Sequence, residues 1–108
     1  KSIFHNEKYI GIVYSNNDEQ LTHHVIIYDM HGTAVMEKDF DMEYTQIGFL
    51  SNSELCITNE HSCDIYTARG IYKFHYDFDE KLYKIAAGRM GLNYTVILEG
   101  VTEKIRLK

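Results

Sequence analysis

The run V-I-I-Y-D-M-H-G-T-A-V, Val25 to Val35, sets an apolar strand against a tight polar corner closed by glycine. Asp29-Met30-His31-Gly32 reads as a type I turn followed by glycine. The aspartate accepts hydrogen bonds from the backbone ahead of it, and the glycine takes the positive φ of a bulged hairpin. The corner recurs in D-I-Y-T-A-R-G-I-Y-K-F, Asp64 to Phe74. Aligning Ile27-Tyr28 with Ile65-Tyr66 puts Gly32 on Gly70, an offset of 38. Upstream, Phe4 aligns with Phe49, Ile10 with Leu55 and Ile12 with Ile57, an offset of 45. The difference of 7 falls in the polar loop at residues 15–20, and loops tolerate insertions.

A partial third copy follows. Asn93 to Leu98 reads as a strand, Glu99-Gly100 as a turn and Glu103 to Leu107 as a further strand. Ile97 and Ile105 lie 40 residues after Ile57 and Ile65. A period of 40–45 residues with three or four strands per unit is that of propeller blades. Helical repeats of that length would show a 3.6-residue period, which these segments lack. The expected fold is therefore all-β and antiparallel, about two and a half propeller-like blades. The repeats are placed at residues 3–40 and 48–87, with a partial one at 92–108. The segment 79–88 has two readings. Asp79 caps a short helix with Leu82, Ile85 and Ala86 on one face and Gly88 at its end, or Leu82 to Ala86 is the fourth strand of the second blade. The repeat favours the strand.

Two and a half blades do not close a ring, which needs about four. Open apolar faces and unpaired edges tend to associate. The chain opens Lys1-Ser2-Ile3-Phe4 without an initiator methionine and stops at Lys108, where the third corner would come. It is expected to be a piece of a larger propeller, or to pair with its own copies.

The chain has 108 residues, room for one small domain. Nine tyrosines, five phenylalanines and no proline favour strands. The net charge of −5, with no cluster of Lys or Arg, argues against a nucleic-acid partner. No apolar run approaches the roughly 20 residues that span a bilayer, and no signal peptide is visible.

Cys56 and Cys63 flank I-T-N-E-H-S. If Leu55, Ile57 and Ile65 face inward, alternation sends Cys56 outward and Cys63 inward. Thiols on opposite faces of a hairpin cannot bond, so both are expected free. A strand buried on both faces would lose that alternation.

No metal motif links the six histidines. His23 and His24 are adjacent in a strand and point to opposite faces, His31 and His61 sit in turns, and His75 lies in a strand. Asp39, Asp41, Glu43, Asp77, Asp79 and Glu80 bracket strand ends. Turn chemistry and solubility account for them as well as catalysis does. Serine-nucleophile and phosphate-loop motifs are absent, and Gly88-Arg89-Met90-Gly91 is an ordinary loop. No cofactor is expected. Exposed tyrosines are able to stack on sugars or anchor peptides, but cross-strand pairing is their commoner use.

The runs I-Y-D-x-x-G-T-A-V, C-D-I-Y-T-x-x-G-I-x-K-F-x-Y-x-F-D and N-Y-x-x-x-L-x-G-V-T-E-K-I-R-L-K resemble the C-terminal part of a Firmicutes family grouped as a domain of unknown function. The resemblance implies a propeller-like domain held outside the cell by an N-terminal membrane helix not present in this chain, with upstream sequence supplying earlier blades. It brings no activity, cofactor or functional residue. The expected function is a non-enzymatic, extracytoplasmic binding or scaffolding module acting on a protein partner or on its own copies. A carbohydrate- or glycopeptide-recognising domain that uses exposed tyrosines is the alternative, and part of a propeller hydrolase comes third.

Overall fold

The computed structural model describes residues 2–16, 22–88 and 93–106. The fold is all-β and antiparallel, as the strand-rich composition and repeated hairpin corners lead one to expect. Sheet 1 is β1 (Ser2–His5), β2 (Tyr9–Asn16), β3 (Thr22–Asp29) and β4 (Ala34–Phe40) in that order. Sheet 2 repeats the arrangement with β5 (Gln46–Phe49), β6 (Leu55–Thr58), β7 (Ser62–Tyr66) and β8 (Tyr72–Asp77). Sheet 3 contains β9 (Leu82–Ala87), β10 (Asn93–Leu98) and β11 (Val101–Arg106), with β10 central.

The sheets stack in chain order with a core in each gap. Val13, Val25, Ile27 and Met36 of sheet 1 meet Leu55, Ile57 and Tyr66 of sheet 2. Cys56, Cys63 and Ile65, on the other face of sheet 2, meet Leu82, Ile85, Tyr94, Val96 and Leu98. Phe78, in the connection between the two sheets, closes this second core. The middle sheet is thus buried on both faces, and all four residues of β6 are buried.

That double burial corrects the expectation for the cysteines. Cys56 pairs with Ile65, and Cys63 pairs with Thr58. Opposed residues share a face, so both thiols point toward sheet 3. They are free and buried, but they lie on one face of the hairpin. The inference from inward Leu55 and Ile57 failed because a strand packed on both sides has no outward face. Burial pushes both thiols well above their ordinary value, Cys63 to about 12. Neither should react with a thiol reagent at neutral pH until the chain is unfolded, when both should.

The segment 79–88 is also corrected. Leu82 to Ala87 is a strand, but it begins sheet 3 and is not the fourth strand of sheet 2, so sheet 2 spans 46–77 and not 48–87. The helix-like spacing of Leu82 and Ile85 comes from a bulge. Leu82 pairs with Leu98 and Lys84 with Ile97, leaving Tyr83 as the extra residue. Two residues three apart then face the same core. The backbone N–H of Leu82 donates to the Glu60 carbonyl at 2.6 Å, and that of Phe78 to His61 at 2.7 Å, which holds the connection extended.

Two alignments slip by one residue. Phe4 and Phe49 occupy opposing faces and meet across the first core with ring centroids 5.0 Å apart. They are contacts, not counterparts. In sheet 3 the core takes Tyr94, Val96 and Leu98, while Ile97 is 42% exposed. Ile97 therefore does not stand where Ile57 stands. A one-residue shift moves every side chain to the other face.

The offset of 38 keeps its register through the outer hairpins. The β3–β4 and β7–β8 pairs each carry a bulge, between Ile27 and Tyr28 and between Ile65 and Tyr66. Gly32 and Gly70 close the corners at φ 83 and φ 90. Asp29 Oδ1 accepts from the backbone N–H of His31 at 2.9 Å and of Thr33 at 3.0 Å. The two glycines differ in surroundings. A Cβ on Gly32 meets nothing within 4 Å, whereas one on Gly70 meets Met36 Cγ at 3.0 Å. Gly32→Ala should cost about 1–2 kcal/mol from the left-handed backbone alone. Gly70→Ala should cost a further ~1 kcal/mol or more, because Met36 has to yield. Urea denaturation of the two variants compares them, and equal losses would dismiss the packing contact.

Candidate functional site

Alternation along the paired strands assigns the face of sheet 1 that points away from sheet 2. Ile3 pairs with Ile12, His5 with Ile10, Ile12 with Ile26, and Ile10 with Tyr28. The isoleucines and tyrosines among them, with Tyr14, form an apolar patch, flanked on the same face by His5 and by His24, Glu37 and Asp39. Ile3 is 64% exposed, Ile10 39% and Tyr14 43%. The far face of sheet 3 carries Ala86 paired with Thr95, and Lys84 paired with Ile97. Among the described residues, the outer two sheets each leave one side without a partner sheet, unlike the middle one.

The outer hairpin of each four-stranded sheet holds a histidine between two carboxylates. His24 Nδ1 bonds Asp39, and its Nε2 bonds Glu37 at 3.1 Å. His75 Nδ1 bonds Asp64 at 2.5 Å, and its Nε2 bonds Asp77 at 2.8 Å. With both ring nitrogens facing acceptors, the doubly protonated ring is favoured. The bond to Asp39, helped by Glu37 and opposed by partial burial, raises His24 above its ordinary 6.5. The bonds to Asp64 and then Asp77 raise His75 above 6.5, again against burial.

An unfolded histidine titrates near its ordinary value, so the folded chain binds these protons more tightly. The stabilisation is fully present below about pH 6.5 and is lost as pH rises through the two folded values. Proton NMR titration should give midpoints above 6.5 for both rings. Midpoints at or below that value would remove both clasps from the account. Each ring lies between its carboxylates, so the three groups do not converge on one point. Among the described residues no group of three or more His, Cys, Asp or Glu is placed to hold a metal ion.

A third ion pair is buried. Glu54 is 8% exposed, at the start of β6. Lys73, the extra residue of the β7–β8 bulge, donates to Glu54 Oε2. Tyr94 of sheet 3 donates its hydroxyl to Glu54 Oε1 at 2.5 Å and accepts from Lys73 Nζ at 3.1 Å. Asn52 Nδ2 donates to the same Oε1 at 2.7 Å. Burial and the bond to Glu54 push the Tyr94 hydroxyl up to about 12. Burial works against the Lys73 ammonium, but its bonds to Glu54 and Tyr94 prevail and hold it above its ordinary value. The triad ties sheet 2 to sheet 3 through the second core.

At the same end of the sheets, the β1–β2, β5–β6 and β7–β8 turns border a cavity of about 880 Å³. Asn6 Nδ2 donates to Ser53 Oγ at 3.1 Å and joins two of the turns. Tyr9, Phe49 and Ile71 supply apolar walls, and Glu7, Lys8 and Arg69 supply charge. Opposite charges are mixed on this rim, and Glu54 of the triad also borders it.

The other residue classes weighed from the sequence do not assemble into a site. Asp39, Asp41, Glu43, Asp77, Asp79 and Glu80 are all exposed. Tyr14 projects from sheet 1, Tyr72 and Tyr76 from sheet 2 and Tyr83 from sheet 3, and the Tyr66 and Tyr72 rings meet tilted at a centroid distance of 5.3 Å. Tyr66 and Tyr94 are core residues. His23 is buried against Phe40 and Tyr44, with Nδ1 on Ser15 Oγ at 2.7 Å. His31 is exposed at its corner. The loop at Gly88 to Gly91 lies largely outside the described residues. Sequence reasoning missed Glu54 and Lys73 because nothing in S-N-S-E-L-C-I marks a buried carboxylate. It missed the clasps because cross-strand partners are legible only once register is known.

Among the described residues no helix is long and apolar enough to cross a membrane. No curated protein and no solved structure matches the chain. Residues 1–107 match the model of a family of unknown function, DUF5711, and the chain belongs to that family.

Proposed function

We propose that this chain is a non-enzymatic module for protein interaction or scaffolding, its stacked sheets forming part of a propeller-like assembly. One observation carries the reading. The middle sheet is covered on both faces, whereas the outward face of sheet 1 presents Ile3, Ile10, Ile12, Tyr14, Ile26 and Tyr28 beside the His24–Glu37–Asp39 clasp, with no sheet against them among the described residues. Contiguous apolar surface of this kind marks sites of association. Its placement outside the cytoplasm rests on the resemblance of the three sequence runs alone. The carbohydrate reading wants tyrosines gathered on one exposed surface, and the exposed ones are spread over Tyr14 of sheet 1, Tyr72 and Tyr76 on opposite faces of sheet 2, and Tyr83 of sheet 3. The hydrolase reading wants convergent, partly buried carboxylates, and those weighed for it are exposed.

The test combines light scattering over a concentration series with binding of a dye that fluoresces on apolar surfaces. The mass is expected to rise with concentration from the 12.7 kDa of one chain. Ile12→Lys should suppress both signals while leaving the β-sheet circular dichroism unchanged. A monomer at every concentration that binds no dye would end this reading.

A further inference from the structure

We infer that the cleft at the turn end of sheets 1 and 2 captures the carboxyl terminus of a peptide whose last residue is apolar. The site lies between these two sheets, apart from the outward face of sheet 1, so each reading stands or falls without the other.

Three hairpin turns at this end share one backbone pattern, at residues 29–33, 50–54 and 67–71. The N–H of the first residue donates to the carbonyl of the fifth, and the N–H of the fourth to the carbonyl of the first. Glycine holds the fourth place in two of them, as Gly32 and Gly70. Ser53 holds it in the other at φ 67, and among the described residues no other non-glycine has a positive φ. That backbone is costly for serine and easy for glycine. Serine supplies what glycine lacks, an Oγ that accepts from Asn6 Nδ2 at 3.1 Å across the two sheets. Asn6 also orders its own turn, because its Oδ1 accepts from the backbone N–H of Lys8 and of Tyr9, both at 2.8 Å. Strained backbone of this kind collects at ligand sites, and here it fixes two walls of the cavity relative to each other.

The cavity of about 880 Å³ shares Glu7, Lys8, Tyr9 and Arg69 with a second one of about 310 Å³ that reaches the β3–β4 turn. Together they make one cleft across four turns. Asp29 borders only the smaller cavity, and its Oδ1 accepts two N–H groups of its own turn. Glu54 borders only the larger one and is bonded to Lys73, Tyr94 and Asn52. At the junction stand Glu7, Lys8 and Arg69, and among the described residues none of the three makes an ion pair. Two cations beside one carboxylate have room for one more anionic group, and a guanidinium suits a carboxylate. Next to them, Ile71 stands 66% exposed on the wall of the larger cavity with Tyr9 and Phe49. A carboxylate and an apolar side chain on one residue fit both features at once. That residue is the last one of a peptide, and capture of a terminal carboxylate is a recurring mode of peptide recognition.

The experiment is fluorescence anisotropy with labelled hexapeptides that differ only at the end. One ends in leucine with a free carboxyl, one in leucine amide, one in serine with a free carboxyl, and one carries an aspartate before a leucine amide. The leucine acid should bind saturably at or below about millimolar concentration. The leucine amide and the serine acid should each bind about tenfold more weakly. Lys8→Gln and Arg69→Gln should each weaken the leucine acid about threefold and leave the amide unchanged. Both side chains are exposed, so both variants should fold, as circular dichroism will check. Lys84→Gln, an exposed cation of sheet 3, should change nothing. An amide that binds as tightly as the acid overturns carboxylate capture. An aspartate peptide that matches the leucine acid overturns the terminus as its source. A loss in Lys84→Gln equal to that in Lys8→Gln overturns the cleft as the site. If no peptide binds at millimolar concentration, the proposal fails outright. None of these outcomes bears on the outward face of sheet 1, whose readouts are mass and dye binding.

Discussion

Replacing Glu54 with leucine should cost the chain about 3–5 kcal/mol, the usual loss when one member of a buried ion pair is removed. The carboxylate takes bonds from Lys73, Tyr94 and Asn52, and the side chains of Glu54 and Lys73 are only 10% and 18% exposed. Leucine leaves the Lys73 ammonium and the Tyr94 hydroxyl without their shared acceptor, in a low-dielectric gap between two sheets. At roughly 4–8 °C per kcal/mol for a domain of this size, the melting temperature should fall far enough to read easily. The double variant Glu54→Leu/Lys73→Met should recover most of the loss, because a buried pair replaced by apolar side chains is often neutral. If the single variant unfolds within about 1 kcal/mol of the wild type in urea, the triad is not what ties sheet 2 to sheet 3.

The triad stands where sheet 1 has apolar or aromatic residues. Val35 occupies the bulge position that Lys73 occupies in sheet 2, and it packs into the first core. The two gaps are built on one plan but differ in polarity at this spot. Sheet 3 brings a tyrosine hydroxyl that the carboxylate and the ammonium both use. Any sheet without a hydroxyl there would leave the pair short of a partner.

Truncating two isoleucines should separate the faces as sharply. Ile57→Ala is expected to lose about 2–5 kcal/mol, since the side chain is 1% exposed between sheets 1 and 2. Ile97→Ala, at 42% exposure, should lose less than about 1 kcal/mol in the monomer. Spacing along the chain makes these residues equivalents, whereas strand pairing puts them on opposite faces. Equal losses at low protein concentration, where copies do not associate, would return Ile97 to the core and undo the register of sheet 3.

The particular residues show where sequence reading holds and where it stops. The hairpin corners were legible because their signals are local. An aspartate accepts from N–H groups two and four residues ahead, and glycine is the residue at ease with φ 83 and φ 90. The offset of 38 is anchored on those corners, so it carried strand, bulge and face together. The alignments of Phe4 with Phe49 and of Ile57 with Ile97 had no such anchor. Aliphatic and aromatic residues at period 2 match equally well one place out of step. The spacing of Leu82 and Ile85 misled toward a helix because a bulge shifts strand periodicity by one, and no local residue announces it.

The candidate site was less legible than the fold. Open faces were expected from the incomplete set of sheets, but their membership depends on which way each strand turns. His24 and Asp39 are 15 residues apart, and Glu54 and Tyr94 are 40 apart. Such pairs exist only after register is set. By itself, the sequence determined an all-β chain of antiparallel hairpins, because strand propensity, alternation and turn chemistry act over a few residues. Only the tertiary structure decided that sheet 2 is buried on both sides, that both thiols share one face, and that Leu82 begins a third sheet. Those outcomes follow from stacking one sheet on the next, and the free energy of stacking comes from surfaces that are far apart in the chain.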